Sequence, residues 1–132
     1  MALLPQHSSI TASIVESAII LHRDLGPGLF ESTYETLLAD ELGRRGHFIR
    51  QQYVLPVMYR GRRIEHAYRV DLLVDHAVVI EVKCADRPSA LHRRQVLTYL
   101  RMLRLEVGLV LNFGLSTMKE GIDRVVNNHM VP

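Results

Sequence analysis

The sequence predicts an α/β domain in which helices cover a central sheet, and three observations carry that expectation. Apolar residues recur at helical spacing as far as Arg45, and two short apolar runs flank Asp75-His76-Ala77 as a hairpin would. An amphipathic segment then separates the hairpin from one more apolar run.

Ser8 and Ser9 precede Ile10, Ile14, Ala18, Leu21 and Leu25, which predicts a helix over 9–25 stopped by Gly26. Gly26-Pro27-Gly28 breaks the chain. A second helix is expected from Leu29 to Arg45, with Tyr34, Leu37, Leu38 and Leu42 inward and Gly46 ending it. The period then changes: Val54 to Tyr59 reads as a strand that Pro56 confines to a sheet edge, and Arg60-Gly61-Arg62 is a turn. Tyr68–Val74 and Val78–Lys83 form the hairpin. With three residues in its loop, Val74 opposes Val78 and Asp71 opposes Glu81. That register puts Val70, Leu72, Val74, Val78, Ile80 and Val82 on one face and leaves Asp71, Glu81 and Lys83 on the other. A two-residue turn without a bulge would instead separate Asp71 from Glu81. A helix from Ala90 to Arg104, a strand Val107–Asn112 and a last helix Met118–Asn128 follow. Ser116 or Thr117 caps that last helix, and Ile122, Val125 and Val126 face inward.

The 132 residues suit one domain, 1–132, able to bury roughly two thirds of its unfolded surface. At 48% apolar and 23% charged, without low-complexity tracts, the chain is expected to fold. Cys84 stands alone and no CxxC or HxxxH pair occurs, so a disulfide or zinc framework is not expected and a reducing, cytoplasmic setting is. The start, MALLPQHSS, lacks a basic segment before its apolar residues, and no apolar run approaches about 18 residues, so neither secretion nor membrane spanning is expected. A net charge of +2 does not by itself indicate a polyanion partner. Fourteen of the sixteen cations are Arg, whose planar fork suits phosphate, although a GC-rich genome produces the same bias. Arg60, Arg62, Arg63 and Arg69 cluster before the central strands, and Arg93, Arg94, Arg101 and Arg104 cluster later.

Asp71 and Glu81 carry the chemistry. Like charges about 4 Å apart at an effective dielectric near 20 repel by roughly 4 kcal/mol, so something positive must lie between them. Lys83, with Arg69, supplies it in a structural ion-pair cluster. A hard divalent cation, Mg²⁺ or Mn²⁺, supplies it in a functional site, since carboxylates, a backbone carbonyl and waters are its preferred ligands. Glu31 stands in the first turn of its helix, where the dipole favours a carboxylate, either as an ordinary solvated acid or as part of that site. Gln95 and Tyr99, four apart, share a helix face and read either as cleft residues or as a surface Gln beside a core Tyr. The His residues at 7, 22, 47, 66, 76, 92 and 129 lack ligand spacing, and His92, one turn before Gln95, alone merits a test. Cys84 reads as a small residue ending a strand, and Tyr53, Tyr59 and Tyr68 as packing residues.

The string Gly28-Leu29-Phe30-Glu31-Ser32-Thr33-Tyr34 is similar to the motif that labels the bacterial GxxExxY family. The resemblance runs on through LPVMYRGRRI, YRVDLLVDHAVVIEVK, QVLTY and LVLNFG. That family looks like a compact branch of the PD-(D/E)XK nuclease superfamily, with a restriction-endonuclease-like α-β-β-β-α-β core, here carrying an extra N-terminal helix and a C-terminal helix. The resemblance implies a metal-binding pair at Asp71 and Glu81 with the Val82 carbonyl, the motif lysine at Lys83 and an early-helix acid at Glu31. It also places the Gln/Tyr motif of the RecB-like exonuclease branch at Gln95 and Tyr99. Val70 stands where the superfamily's name has Pro. The implied activity is Mg²⁺- or Mn²⁺-dependent hydrolysis of DNA, exonucleolytic in mode, with RNA as an alternative substrate. Arg93, Arg94 and Arg69 would contact phosphates, and a homo-oligomer would build a strand channel that 132 residues alone leave little room for. The rival readings are a nuclease-fold module that binds nucleic acid or protein without cleavage, and a metal hydrolase of small phosphoesters.

Overall fold

Two helices open the chain, α1 over Pro5–Leu25 and α2 over Glu31–Arg44. Strands β1 (Ile49–Tyr59), β2 (Arg62–Val74) and β3 (Val78–Lys83) follow, then α3 (Ala90–Leu103), β4 (Val107–Asn112), a single turn α4 (Met118–Gly121) and β5 (Ile122–Val126). This computed structural model describes residues 5–128; the remaining residues of the domain expected over 1–132, His129 among them, lie outside the described part. The five strands form one sheet in the order β1-β2-β3-β4-β5. Only β3 and β4 run parallel, joined through α3, whereas the other neighbours are antiparallel.

The α/β class and most of the predicted elements are therefore present. β1 is an edge strand, and its pairing with β2 shifts register between Leu55 and Val57, around Pro56, where a missing N–H does least harm. The hairpin register is the three-residue one: Leu72 opposes Ile80, Leu73 opposes Val79 and Val74 opposes Val78. Asp75 and His76 both take φ 54, and Ala77 N–H donates to the Val74 carbonyl at 2.9 Å, closing the turn.

Three expectations need correcting. The last helix, expected over Met118–Asn128, is one turn only, and Ile122–Val126 instead form β5, antiparallel to β4. Ile122, Val125 and Val126 fit a helical stripe and a β-branched strand equally well, and the choice falls to tertiary need: β4 is buried along its whole length and β5 covers its free edge. Gly121 sits at the switch, where a Cβ would lie 2.1 Å from the Asn112 carbonyl oxygen. Second, Val70 does not join the other even-numbered hairpin residues. It packs with Leu55, Leu73, Val79, Val96 and Tyr99. Leu72, Val74, Val78, Ile80 and Val82 meet Ile14, Ala18, Tyr34, Leu38 and Leu42 of the first two helices on the opposite face. The parity changes at Asp71, beside Gln52, whose φ of 52 breaks the pleat of β1. Third, Leu25, expected inward, is exposed.

The α3 layer lies close on the sheet. At Gly108 a Cβ would stand 2.6 Å from Val96 Cγ1, so only glycine lets α3 approach this far. The α1 layer is tied elsewhere: His47 Nε2 meets Ser13 Oγ at 2.8 Å and His47 Nδ1 meets Asp75 Oδ2 at 2.6 Å, linking α1 to the β2–β3 turn.

Candidate active site

The β2–β3 ladder ends at Leu72 and Ile80, and the next residue of each strand is a carboxylate. Where the strands part, Asp71 Oδ2 accepts the Val82 N–H at 2.9 Å, so a side chain takes the place of a backbone acceptor. Asp71 Oδ1 is approached by Gln52 Nε2 at 3.4 Å. Glu81 projects beside it and is 2% exposed. Its Oε2 faces the Lys83 ammonium at 3.6 Å, and its Oε1 is buried without a hydrogen-bond partner. Burial, then the Asp71 charge and a hydrogen bond with Asp71, push the Glu81 carboxyl up to about 8, with Lys83 pulling the other way. Tyr99, buried on α3, is pushed up to about 12 by burial and next by the Glu81 charge; Gln95 opposes this by donating to the Tyr99 hydroxyl at 2.8 Å.

Glu31 reaches the same strand from α2. Its Oε1 accepts the N–H of Cys84, the residue after Lys83, at 3.1 Å. The spacing of the GxxExxY string has a local cause. Tyr34, one turn on, is fully buried, stacks on Phe113 with centroids 4.4 Å apart, donates from its hydroxyl to the Gly26 carbonyl and accepts the Leu29 N–H at 3.2 Å. The tyrosine thereby closes the glycine turn and fixes where α2 begins, and that start aims Glu31 at the end of β3. Asn112 does the matching work from β4: its Oδ1 accepts the N–H groups of Ala85 and Gly114, both at 3.0 Å. Gly114 is required there, since a Cβ would fall 2.5 Å from the Ala85 carbonyl oxygen.

Of the predicted site residues, Asp71, Glu81, Lys83 and Tyr99 converge on the parting strands. Gln95 joins through Tyr99, and Glu31 stands one residue beyond Lys83. The predicted cations are spread more widely. Arg93 pairs with Asp123 of β5 and donates to the Arg124 carbonyl at 3.1 Å. Arg94 is exposed in a recess shared with Tyr68, Leu91, Gln95 and Thr98. Arg69 is exposed on β2. Glu35, Gln52 and Asn112 went unread as site residues in the sequence. Glu35, buried, accepts from Gln51 Nε2 at 3.2 Å and Gln52 Nε2 at 2.7 Å, which links it to Asp71. Its position four after Glu31, an unfavourable like-charge spacing on a free helix, was the available signal. Asn112 offered none, because its role depends on β4 lying beside β3. His92 also flanks the site: burial and the Lys83 charge lower its pKa, and Glu31 works against them. It lines a cleft of about 210 Å³ with Ser89, Asn112 and Asp123.

Asp71 and Glu81 fit a divalent cation. A buried oxygen without a partner, and two adjacent carboxyls of which only Glu81 meets an ammonium, form a donor set short of positive charge. Among the described residues no three His, Cys, Asp or Glu side chains form a ready ligand cluster, so the Val82 carbonyl and water would have to complete the shell. A family model described as the PD-(D/E)XK nuclease superfamily matches residues 8–125. This chain belongs to that superfamily. The match includes residues of every element from α1 to β5. Comparison with curated proteins and with solved structures gives no match. Membership of this nuclease superfamily points to a metal-dependent nuclease acting on nucleic acid. Among the described residues, no helix is long and apolar enough to cross a membrane.

Proposed function

We propose that this chain is a Mg²⁺- or Mn²⁺-dependent deoxyribonuclease of the GxxExxY branch, working exonucleolytically in the cytoplasm. The observation that carries the reading is the buried Glu81, its Oε1 unpartnered, between half-buried Asp71 and Lys83. Asp71 Oδ1, Glu81 Oε1 and the Val82 carbonyl would hold the cation, which supplies charge neutralisation at the scissile phosphate and acidifies the attacking water. Asp71 Oδ2 stays on the Val82 N–H and fixes the carboxylate plane. Glu31, anchored on Cys84, would reach the cation through water or help hold a second one. Lys83, an ammonium 3.6 Å from Glu81, stabilises the charge that gathers on the phosphorus oxygens and orients the attacking water. Gln95 holds the Tyr99 hydroxyl, and this pair supports the RecB-like, end-directed mode by positioning a strand terminus. Arg94 and Arg69 are open to phosphate, and Arg93 would exchange its partner Asp123 for one.

Purified protein, offered linear, circular and single-stranded DNA and RNA with Mg²⁺, Mn²⁺ or EDTA, tests this. Linear DNA should be degraded from its ends with either metal and not in EDTA. Asp71→Ala and Lys83→Ala should each lose on the order of 10²-fold or more in rate. Equal degradation by wild type and both variants, or none by wild type, overturns the enzyme reading, and cleavage of circular DNA replaces the exonuclease with an endonuclease. A monomeric mass in dilute solution removes the homo-oligomer as the builder of a strand channel.

A further inference from the structure

The β1–β2 ribbon is much longer than the sheet that carries it. β2 pairs with β3 only over Leu72–Val74, whereas its pairing with β1 continues out to Tyr59 opposite Arg62. Beyond Asp71 the two strands therefore leave the sheet as a two-stranded ribbon, and Arg62 to His66 are all exposed at its far end. Extra residues of β2 bulge around His66, where φ is 54, so the ribbon from Asp71 to Arg62 is as long as its β1 side, Gln52 to Tyr59, about 23 Å.

The charge on this ribbon is one-sided. From Val54 to Arg69 the cations are Arg60, Arg62, Arg63 and Arg69, and the only carboxylate is Glu65, which pairs with Arg63. Arg60 lies over the Tyr59 ring, 5.4 Å from its centroid, and Arg62 and Arg69 have no carboxylate partner among the described residues. The base of the ribbon reaches the catalytic face, because Tyr68 meets Tyr99 edge-on with centroids 6.0 Å apart. A basic ribbon rooted at the acidic pair thus leads about two thirds of a duplex turn away from it.

We propose that the distal β1–β2 ribbon is an arm that grips B-form duplex DNA ahead of the cleavage point, with Arg60, Arg62 and Arg63 on its phosphates. The proposal rests on the nuclease reading for its choice of polyanion. The major groove of B-form DNA admits a two-stranded ribbon, and a reach of about 23 Å covers roughly two thirds of a helical turn. The deep, narrow major groove of A-form RNA does not admit it, so the arm selects DNA over RNA duplexes. Phosphate contacts of this kind position the protein without reading sequence.

Fluorescence anisotropy in EDTA, with labelled DNA duplex, RNA duplex and single-stranded DNA of equal length, tests the arm without cleavage. Wild type should prefer the DNA duplex. The variant Arg60→Ala/Arg62→Ala/Arg63→Ala should bind it about tenfold or more weakly, with the salt dependence of binding reduced by roughly 2 to 3 phosphate contacts. The Lys triple at the same positions should retain most of the binding. Mn²⁺ affinity measured by calorimetry should be unchanged in both, as the arm is distant from the acidic pair. Unchanged duplex binding in the Ala triple, or wild-type binding that favours RNA duplex or single strands, overturns the proposal. So does a wild-type dimer that the Ala triple dissociates, since the ribbon is then a surface between copies. The nuclease reading fails on a different measurement, the absence of metal-dependent cleavage, so the two failures are distinguishable.

Discussion

Glu81 is where burial and charge conflict most, and its titration is a measurable consequence. An unfolded glutamate releases its proton near 4.5, whereas burial and Asp71 hold the proton on the folded, metal-free protein up to about 8. Between those values the folded state binds more protons, so the stability contributed by this group is full below about 4.5 and is lost as pH rises through about 8. In EDTA the melting temperature should therefore carry a component that declines across that window, and Glu81→Gln should flatten it. Mn²⁺ competes with the proton, so its stabilising shift should be larger at about pH 8 than at about pH 5. A Mn²⁺ shift independent of pH would contradict the assignment. The hairpin register was legible in the sequence, because a three-residue loop sets Val74 against Val78 and so puts Asp71 and Glu81 at the end of one ladder. Glu35, Gln52 and Asn112 were not: each acts on a residue distant in sequence, through contacts that exist only once the sheet and helices have docked.

Elements aim these side chains, and two single-atom changes test the aim. Tyr34→Phe keeps the ring on Phe113 but removes the hydroxyl that joins the Gly26 carbonyl to the Leu29 N–H. It should cost about 1 to 2 kcal/mol in chemical denaturation, and cleavage should fall further than stability because the start of α2 carries Glu31. Equal cleavage by Tyr34→Phe and wild type would show that this start does not position the acid. Gly108→Ala places a methyl against Val96 and the Val79 carbonyl, and should cost about 1 to 3 kcal/mol by lifting α3 from the sheet. Its fingerprint is displacement of Tyr99 over Glu81, seen as weaker Mn²⁺ binding; an unchanged affinity would mean that α3 does not shape the acidic pair. The C-terminal element shows why sequence periodicity stops short here. Ile122, Val125 and Val126 satisfy both periods, and the unprotected edge of β4, a non-local fact, decides for strand. The distal part of β2, Arg62 to His66, was missed for the opposite reason: it is exposed on both faces, so no burial pattern marks it as strand.

At the scale of the whole molecule, two apolar layers meet across one sheet, and the acidic pair lies where β2 leaves β3. That parting frees the Val82 N–H for Asp71, leaves Asp71 half-buried beside the buried Glu81 and sends the β1–β2 ribbon outward. The central claim is that Asp71 and Glu81 hold one hard cation. Crystals soaked with Mn²⁺ test it most directly through anomalous scattering. A peak is expected between Asp71 Oδ1 and Glu81 Oε1, within about 2.0 to 2.3 Å of both and near the Val82 carbonyl. No peak there, or a Lys83 ammonium drawn fully between the two carboxylates in its place, would contradict it.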